Sequence, residues 1–128
     1  GVQCGPGAVI EGGTSVGANV SIGSNVTIAN SVILPDAVIQ SGSVIEDSVI
    51  GSNVSIGANT TIEGGETTVT VGESLHSEIE LGAVIGDNAE IGAGVTLESG
   101  TVVGTTAVID AGVGTGGRIG DDAYIRRA

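Results

Sequence analysis

Residues 15–62 read SVGANVSIGSNVTIANSVILPDAVIQSGSVIEDSVIGSNVSIGANTTI, and the spacing of the large aliphatics in this stretch decides the fold. They stand at Val16, Ile22 and Ile28, then at Ile33, Ile39 and Ile45, then at Ile50, Ile56 and Ile62. Successive members are six residues apart, except for steps of five from Ile28 to Ile33 and from Ile45 to Ile50. Ile10 precedes the series in phase. A second block, Ile79, Ile85, Ile91, Leu97, Val103 and Ile109, keeps the step of six before the phase slips and closes with Ile119 and Ile125.

A second position carries the same period. Three residues after the aliphatic come Gly13, Asn19, Asn25, Asp36, Gly42, Asn53, Asn59, Gly82, Asn88, Gly94, Gly100, Gly112 and Asp122. These residue types accept a positive φ or cap a tight turn through their own side chain. The next residue is small or β-branched, as at Val20, Val26, Ala37, Ser43, Val54, Thr60, Ala89 and Val95. Each hexad is thus a short strand with one inward aliphatic and one corner. Neither an α-helix nor an antiparallel meander accommodates a corner in every sixth residue. Three hexads close one triangular coil, and stacked coils give an all-β parallel β-helix of about five to six coils, about 25–30 Å tall at the usual strand spacing. The doublets Val32-Ile33, Val38-Ile39, Val44-Ile45 and Val49-Ile50 leave the inward residue ambiguous by one.

The composition agrees with a narrow, regular core. The chain has 24 Gly in 128 residues, Tyr124 as its single aromatic, and no Phe, Trp, Met or Lys. A formal net charge of −12 disfavours nucleic acid and anionic lipid as partners. Adaptation to high salt accounts for the carboxylate excess, since screening reduces their mutual repulsion. No apolar run approaches the roughly 20 residues of a membrane-spanning helix. Cys4 is the only cysteine, which excludes an intrachain disulfide and suits a reducing, cytoplasmic location. The chain opens on Gly1, and we expect a single domain over 1–128 that is a C-terminal piece of a longer protein.

The rhythm breaks across EGGETTVTVGESLHSE, residues 63–78, read either as an irregular loop leaving the prism or as a degenerate coil with strand-like Thr68 to Val71. His76, the only histidine, lies there and is the candidate general base. Arg118, Arg126 and Arg127 place the fixed positive charge at one end, a candidate seat for the phosphates of coenzyme A. No metal site is expected: zinc sites of β-helical carbonic anhydrases need several imidazoles, and one histidine per chain does not supply them.

The segments IANSVILPDAVIQSGSVIEDSVIGSNVSIGANTTIEGG and LGAVIGDNAEIGAGVTLESGTVVG resemble the C-terminal hexapeptide-repeat domain of archaeal sugar-1-phosphate nucleotidylyltransferases, similar to glucose-1-phosphate thymidylyltransferase and to bifunctional N-acetylglucosamine-1-phosphate uridylyltransferase. The resemblance implies a left-handed helix, against the usual right-handed crossover preference. It further implies self-association as a homotrimer or higher oligomer, and an N-terminal nucleotidyltransferase domain that holds Mg in the parent chain. The expected role is to organise and regulate such an enzyme. The alternative implied by the bifunctional relatives is an acetyl-CoA-dependent acyltransferase acting on an amino sugar phosphate, with His76 as base and Arg118, Arg126 and Arg127 binding the cofactor.

Overall fold

Each hexad forms a strand of two or three residues and then turns. The computed structural model describes residues 2–62, 66–71, 74–80 and 82–126, the two strands between 66 and 80 by backbone alone. The chain is a left-handed parallel β-helix of about six turns, with no helix among the described residues. Three parallel sheets form the faces of the prism. The first stacks Gln3–Cys4, Ser21–Ile22, Val38–Ile39, Ser55–Ile56, Glu90–Ile91, Val108–Ile109 and Tyr124–Ile125. The second stacks Val9–Ile10, Thr27–Ala29, Val44–Glu46, Thr61–Ile62, Thr96–Leu97 and Gly114–Thr115. The third stacks Ser15–Val16, Val32–Ile33, Val49–Ile50, Ala83–Ile85, Thr101–Val103 and Arg118–Ile119.

The strand registers make the core a set of columns. On the first face Ile22, Ile39, Ile56, Ile91 and Ile109 stand directly above one another, all buried. The valine-isoleucine doublets resolve the same way each time, with isoleucine inward and valine outward; Val32, Val38 and Val49 are exposed while Ile33, Ile39 and Ile50 are buried. The larger side chain takes the inward place because it removes more apolar surface from water. Ile10 is 41 % exposed because it belongs to the first described coil and is covered from one side only.

Corners lie where the backbone turns left-handed. Asn19, Asn25, Asp36, Asn53, Asn59, Asn88 and Asp122 have φ between 58° and 67°, and Gly13, Gly42, Gly94, Gly100 and Gly112 are also positive. Asn and Asp tolerate this region because their short side chains bond locally. Thr106, with φ 63°, is a β-branched residue in the same place, and its N–H donates to Asp87 O at 3.0 Å.

The five-residue steps have a structural cause. There Ala29 and Glu46 lengthen the strands, Asn30 and Asp47 make the corner at φ 50° and 52°, and Ser31 and Ser48 turn inward and are buried. Their hydroxyls are satisfied along the stack: Ser31 Oγ donates to Ala29 O (2.8 Å) and accepts from Ser48 N (3.1 Å). Ser48 Oγ donates to Glu46 O (2.7 Å) and accepts from Ala83 N (3.0 Å). Buried polar atoms of this kind are tolerated only when bonded.

The interruption enters between Ile62 on the second face and Ala83 on the third. Glu66–Val71 and Ser74–Glu80 pair antiparallel with each other and with none of the three faces. Ile79, in phase with the hexads, sits opposite Thr67 in this pair instead of in a core column. The stack closes across the gap, since Ile50 pairs with Ile85, Ile56 with Ile91 and Ile62 with Leu97.

Candidate functional site

An open groove of about 550 Å³ runs along the C-terminal half of the first face. The strand register explains its shape. One column of outward positions runs Ser55, Glu90, Val108 and Tyr124. The column two residues further along each strand runs Gln40, Gly57, Gly92, Asp110 and Arg126. The groove is lined by the small residues Gly57, Gly92, Ala93 and Ala111 together with Gln40, Glu90, Asp110 and Tyr124.

Tyr124 is 54 % exposed and anchors one end. Its hydroxyl donates to Asp110 Oδ1 at 2.8 Å, and the Arg126 guanidinium lies over its ring, 5.3 Å from the centroid, a cation–π contact. The hydrogen bond to Asp110, together with that carboxylate's charge, raises the phenol above its ordinary pKa of 10.0, because ionisation removes a donor and creates a like charge. A raised folded-state value means that the contribution is complete below the unfolded pKa and is lost as pH rises through the folded one. The window is therefore alkaline, above about pH 10. Tyr124 is the only aromatic residue, so phenolate absorbance reports it alone. Its titration midpoint is expected above 10 in the native chain and closer to 10 in Asp110→Asn; coincident curves would remove the hydrogen bond as the cause.

Of the residues marked by the sequence, the two arginines that the structure describes lie on different faces. His76 lies in Ser74–Glu80, with its backbone opposite Val69, and its side chain is outside the described residues. Arg118 is exposed on the third face, following Val102 in the stack. Arg126 flanks the groove on the first face, and Arg127 lies outside the described residues. Among the described residues, no three His, Cys, Asp or Glu side chains converge as a metal set. Sequence reasoning did not single out Gln40, Ser55, Glu90, Asp110 or Tyr124 as site residues. The missing signal is the coil period: Ser55 and Glu90 are ladder neighbours although 35 positions separate them, because the antiparallel pair is threaded between.

A family model described as the GMPPB C-terminal domain matches residues 1–78, and one described as the hexapeptide repeat of succinyl-transferase matches 76–99 and 82–115. No curated protein matches the sequence. Among solved structures, PerB from Caulobacter crescentus, crystallised with CoA and GDP-perosamine, superposes with a TM-score of 0.77 at 22 % identity over 95 % of this chain and 53 % of its own. The acetyltransferase domain of PglB from Neisseria gonorrhoeae, in complex with acetyl coenzyme A, gives 0.78 at 18 % identity over 96 % and 53 %. UDP-N-acetylglucosamine acyltransferase from Francisella novicida gives 0.61 at 25 % identity over 99 % and 57 %. The chain therefore spans about half the length of these proteins.

Proposed function

The chain belongs to the GMPPB C-terminal domain family, and we propose that it is the oligomerising, regulatory β-helix at the C-terminal end of a sugar-phosphate nucleotidylyltransferase. In this reading nucleotidyl transfer and its magnesium belong to an N-terminal domain of the parent protein, and the β-helix holds copies of that domain together as a homotrimer or higher assembly.

The observation that carries the reading is the outer surface of the third face. Val32, Val49, Val84 and Val102 follow one another in register across four coils, between Ser15 and Arg118. Val32 and Val49 are exposed, and Val84 and Val102 are half-buried. At the corresponding positions of the first face Val38 and Val108 are separated by Ser55 and Glu90, and on the second face Val9 and Val44 are separated by Thr27 and followed by Thr61 and Thr96. A continuous run of valines on a parallel sheet is an apolar surface suited to another protein surface. Three copies would bring together three times a formal charge of −12, so association works against self-repulsion and strengthens as salt screens it.

Light scattering on the chain in about 2 M NaCl, well beyond the roughly 1 M at which screening reaches only about 3 Å, is expected to give about three times the 12.3 kDa chain mass. The mass should fall at low salt, and Val49→Asp with Val84→Asp should give a folded monomer. A monomer for the unaltered chain at every salt concentration would end this reading.

The second reading is an acetyl-CoA-dependent acyltransferase acting on an amino sugar phosphate. It draws on Arg118 and Arg126, both exposed, which with Arg127 would hold cofactor phosphates. His76 would take the proton as the amine attacks the thioester carbonyl and the C–S bond breaks to release the thiol. Calorimetric titration with acetyl-CoA decides it: no heat of binding at millimolar ligand eliminates the cofactor and the reaction with it.

A further inference from the structure

We propose that the outer edge of Glu66–Val71 is a docking site for an extended, lysine- or arginine-bearing segment of another protein, which joins the antiparallel pair as a third strand. The proposal does not depend on the assembly reading, which rests on the third face.

The backbone register makes one edge of the pair available. Glu66–Val71 and Ser74–Glu80 form a two-stranded sheet, and among the described residues no further strand pairs with it. A two-stranded hairpin in water is marginal by itself and gains from a third strand. Its two edges are not equivalent. The pairing advances two residues from Thr67 to Val69 against three from Ile79 to His76. The extra residue belongs to Ser74–Glu80, and a bulge of this kind bends a strand and blunts its edge. Glu66–Val71 keeps a regular alternation and consists of one Glu followed by Thr and Val alone, the β-branched types that favour strands. It contains neither the proline nor the lysine that commonly guard an edge.

Charge selects the occupant. Directly opposite residues of an antiparallel pair share a face, so Glu66 and Glu80 set like charges side by side, which is unfavourable across a ladder. Nothing in the surrounding sequence offsets them: residues 63–80 hold Glu63, Glu66, Glu73, Glu78 and Glu80, with no Lys or Arg. The arginines of the chain stand at 118, 126 and 127, outside this pair. A strand added along Glu66–Val71 places one of its residues beside Glu66, on the face that Glu80 shares, and a basic residue there supplies the missing counter-charge. A second copy of the hairpin is disfavoured, since it brings the same glutamates. The other face sets Thr67, Val69 and Val71 opposite Ile79, His76 and Ser74, which suits apolar residues in the partner. The matching segment therefore alternates basic with apolar residues, and main-chain hydrogen bonds along the edge supply affinity.

Two fluorescently labelled peptides test this, one alternating lysine with valine and the other glutamate with valine, each titrated with the chain and followed by anisotropy. Only the lysine peptide is expected to bind, more weakly as salt screens it, and amide exchange should slow within Glu66–Val71. Glu66→Gln combined with Glu80→Gln should weaken the lysine peptide by about fivefold, the upper range for an opposite-charge cross-strand pair. Glu11→Gln, beside the strand Val9–Ile10, should leave it unchanged. The double variant relieves a repulsion in the free pair, so the hairpin should persist, checked by its own amide exchange. The proposal is overturned by absence of binding, by equal binding of the two peptides, by an affinity that the double variant leaves intact, or by binding without slowed exchange in Glu66–Val71. Protection of those amides that grows with chain concentration and without peptide would also overturn it, because a second copy then occupies the edge.

Discussion

Ile45→Ala is expected to lower the free energy of unfolding by about 2–5 kcal/mol, read from the midpoint of a urea transition. Ile45 is 0 % exposed and stacks directly between Ile28 and Ile62 on the second face. Truncation would leave a cavity in a column whose neighbours are fixed by backbone pairing above and below, so little collapse can fill it. Against a typical total of about 5–15 kcal/mol, the loss is a large share. In a solenoid each coil contacts only its neighbours, so the damage should also be local. Amide exchange should accelerate most at Thr27 to Ile62 and least at Thr96 to Ile109. A change below about 1 kcal/mol would mean that the inward column is misplaced.

Gly57→Ala is the second large effect, and two opposing terms decide its sign. Alanine restricts the unfolded chain and on that account stabilises by about 0.4–1 kcal/mol. In the folded chain, however, a Cβ at Gly57 would collide with Ala93 N and approach Gly92 C at 2.6 Å and Ala93 Cα at 2.7 Å. All three are backbone atoms of the next coil and cannot rotate away. Forcing them apart costs about 3 kcal/mol and stretches the bond from Gly57 N to Ile91 O, 2.7 Å long. Net destabilisation of about 2 kcal/mol is expected. Gly120→Ala is the matched control: a Cβ there meets nothing within 4 Å, so only the unfolded-state effect remains and thermal stability should rise slightly. Equal behaviour of the two variants would refute the contact between coils at Gly57.

Much of this architecture can be read from the sequence because one period encodes both the column and the corner. Ile22 to Ile62 are inward, and Asn19, Asn25, Asn53 and Asn59 turn left-handed, where the spacing puts them. What the period does not contain is harder to read. Asn30 and Asp47 make corners two residues after Ile28 and Ile45, because a shortened step trades one position for an inward serine that bonds to the coil beside it. That compensation depends on contacts 17 residues away. Thr106 turns left-handed three residues after Val103, where the period puts a corner, but its residue type works against that conformation. The groove was illegible for another reason: its lining comes from five coils, and their alignment depends on knowing how many residues the antiparallel pair removes from the count. The sequence marks Tyr124 only as the single aromatic and Arg126 only as part of a basic end, and the stacking of Tyr124 beside Val108 places them with Glu90 and Asp110.

The antiparallel pair between Ile62 and Ala83 leaves the ladder on either side intact. Gly51 N reaches Ile85 O at 2.9 Å, Ser55 N reaches Ala89 O at 3.1 Å and Thr61 N reaches Val95 O at 2.9 Å, the same lengths as across uninterrupted coils such as Thr27 N to Ser43 O at 3.0 Å. The scaffold is therefore indifferent to what is threaded through that corner. Segments of other lengths and chemistries can be grafted there without altering the pitch of the stack, so an appendage can diversify rapidly on a body that changes slowly.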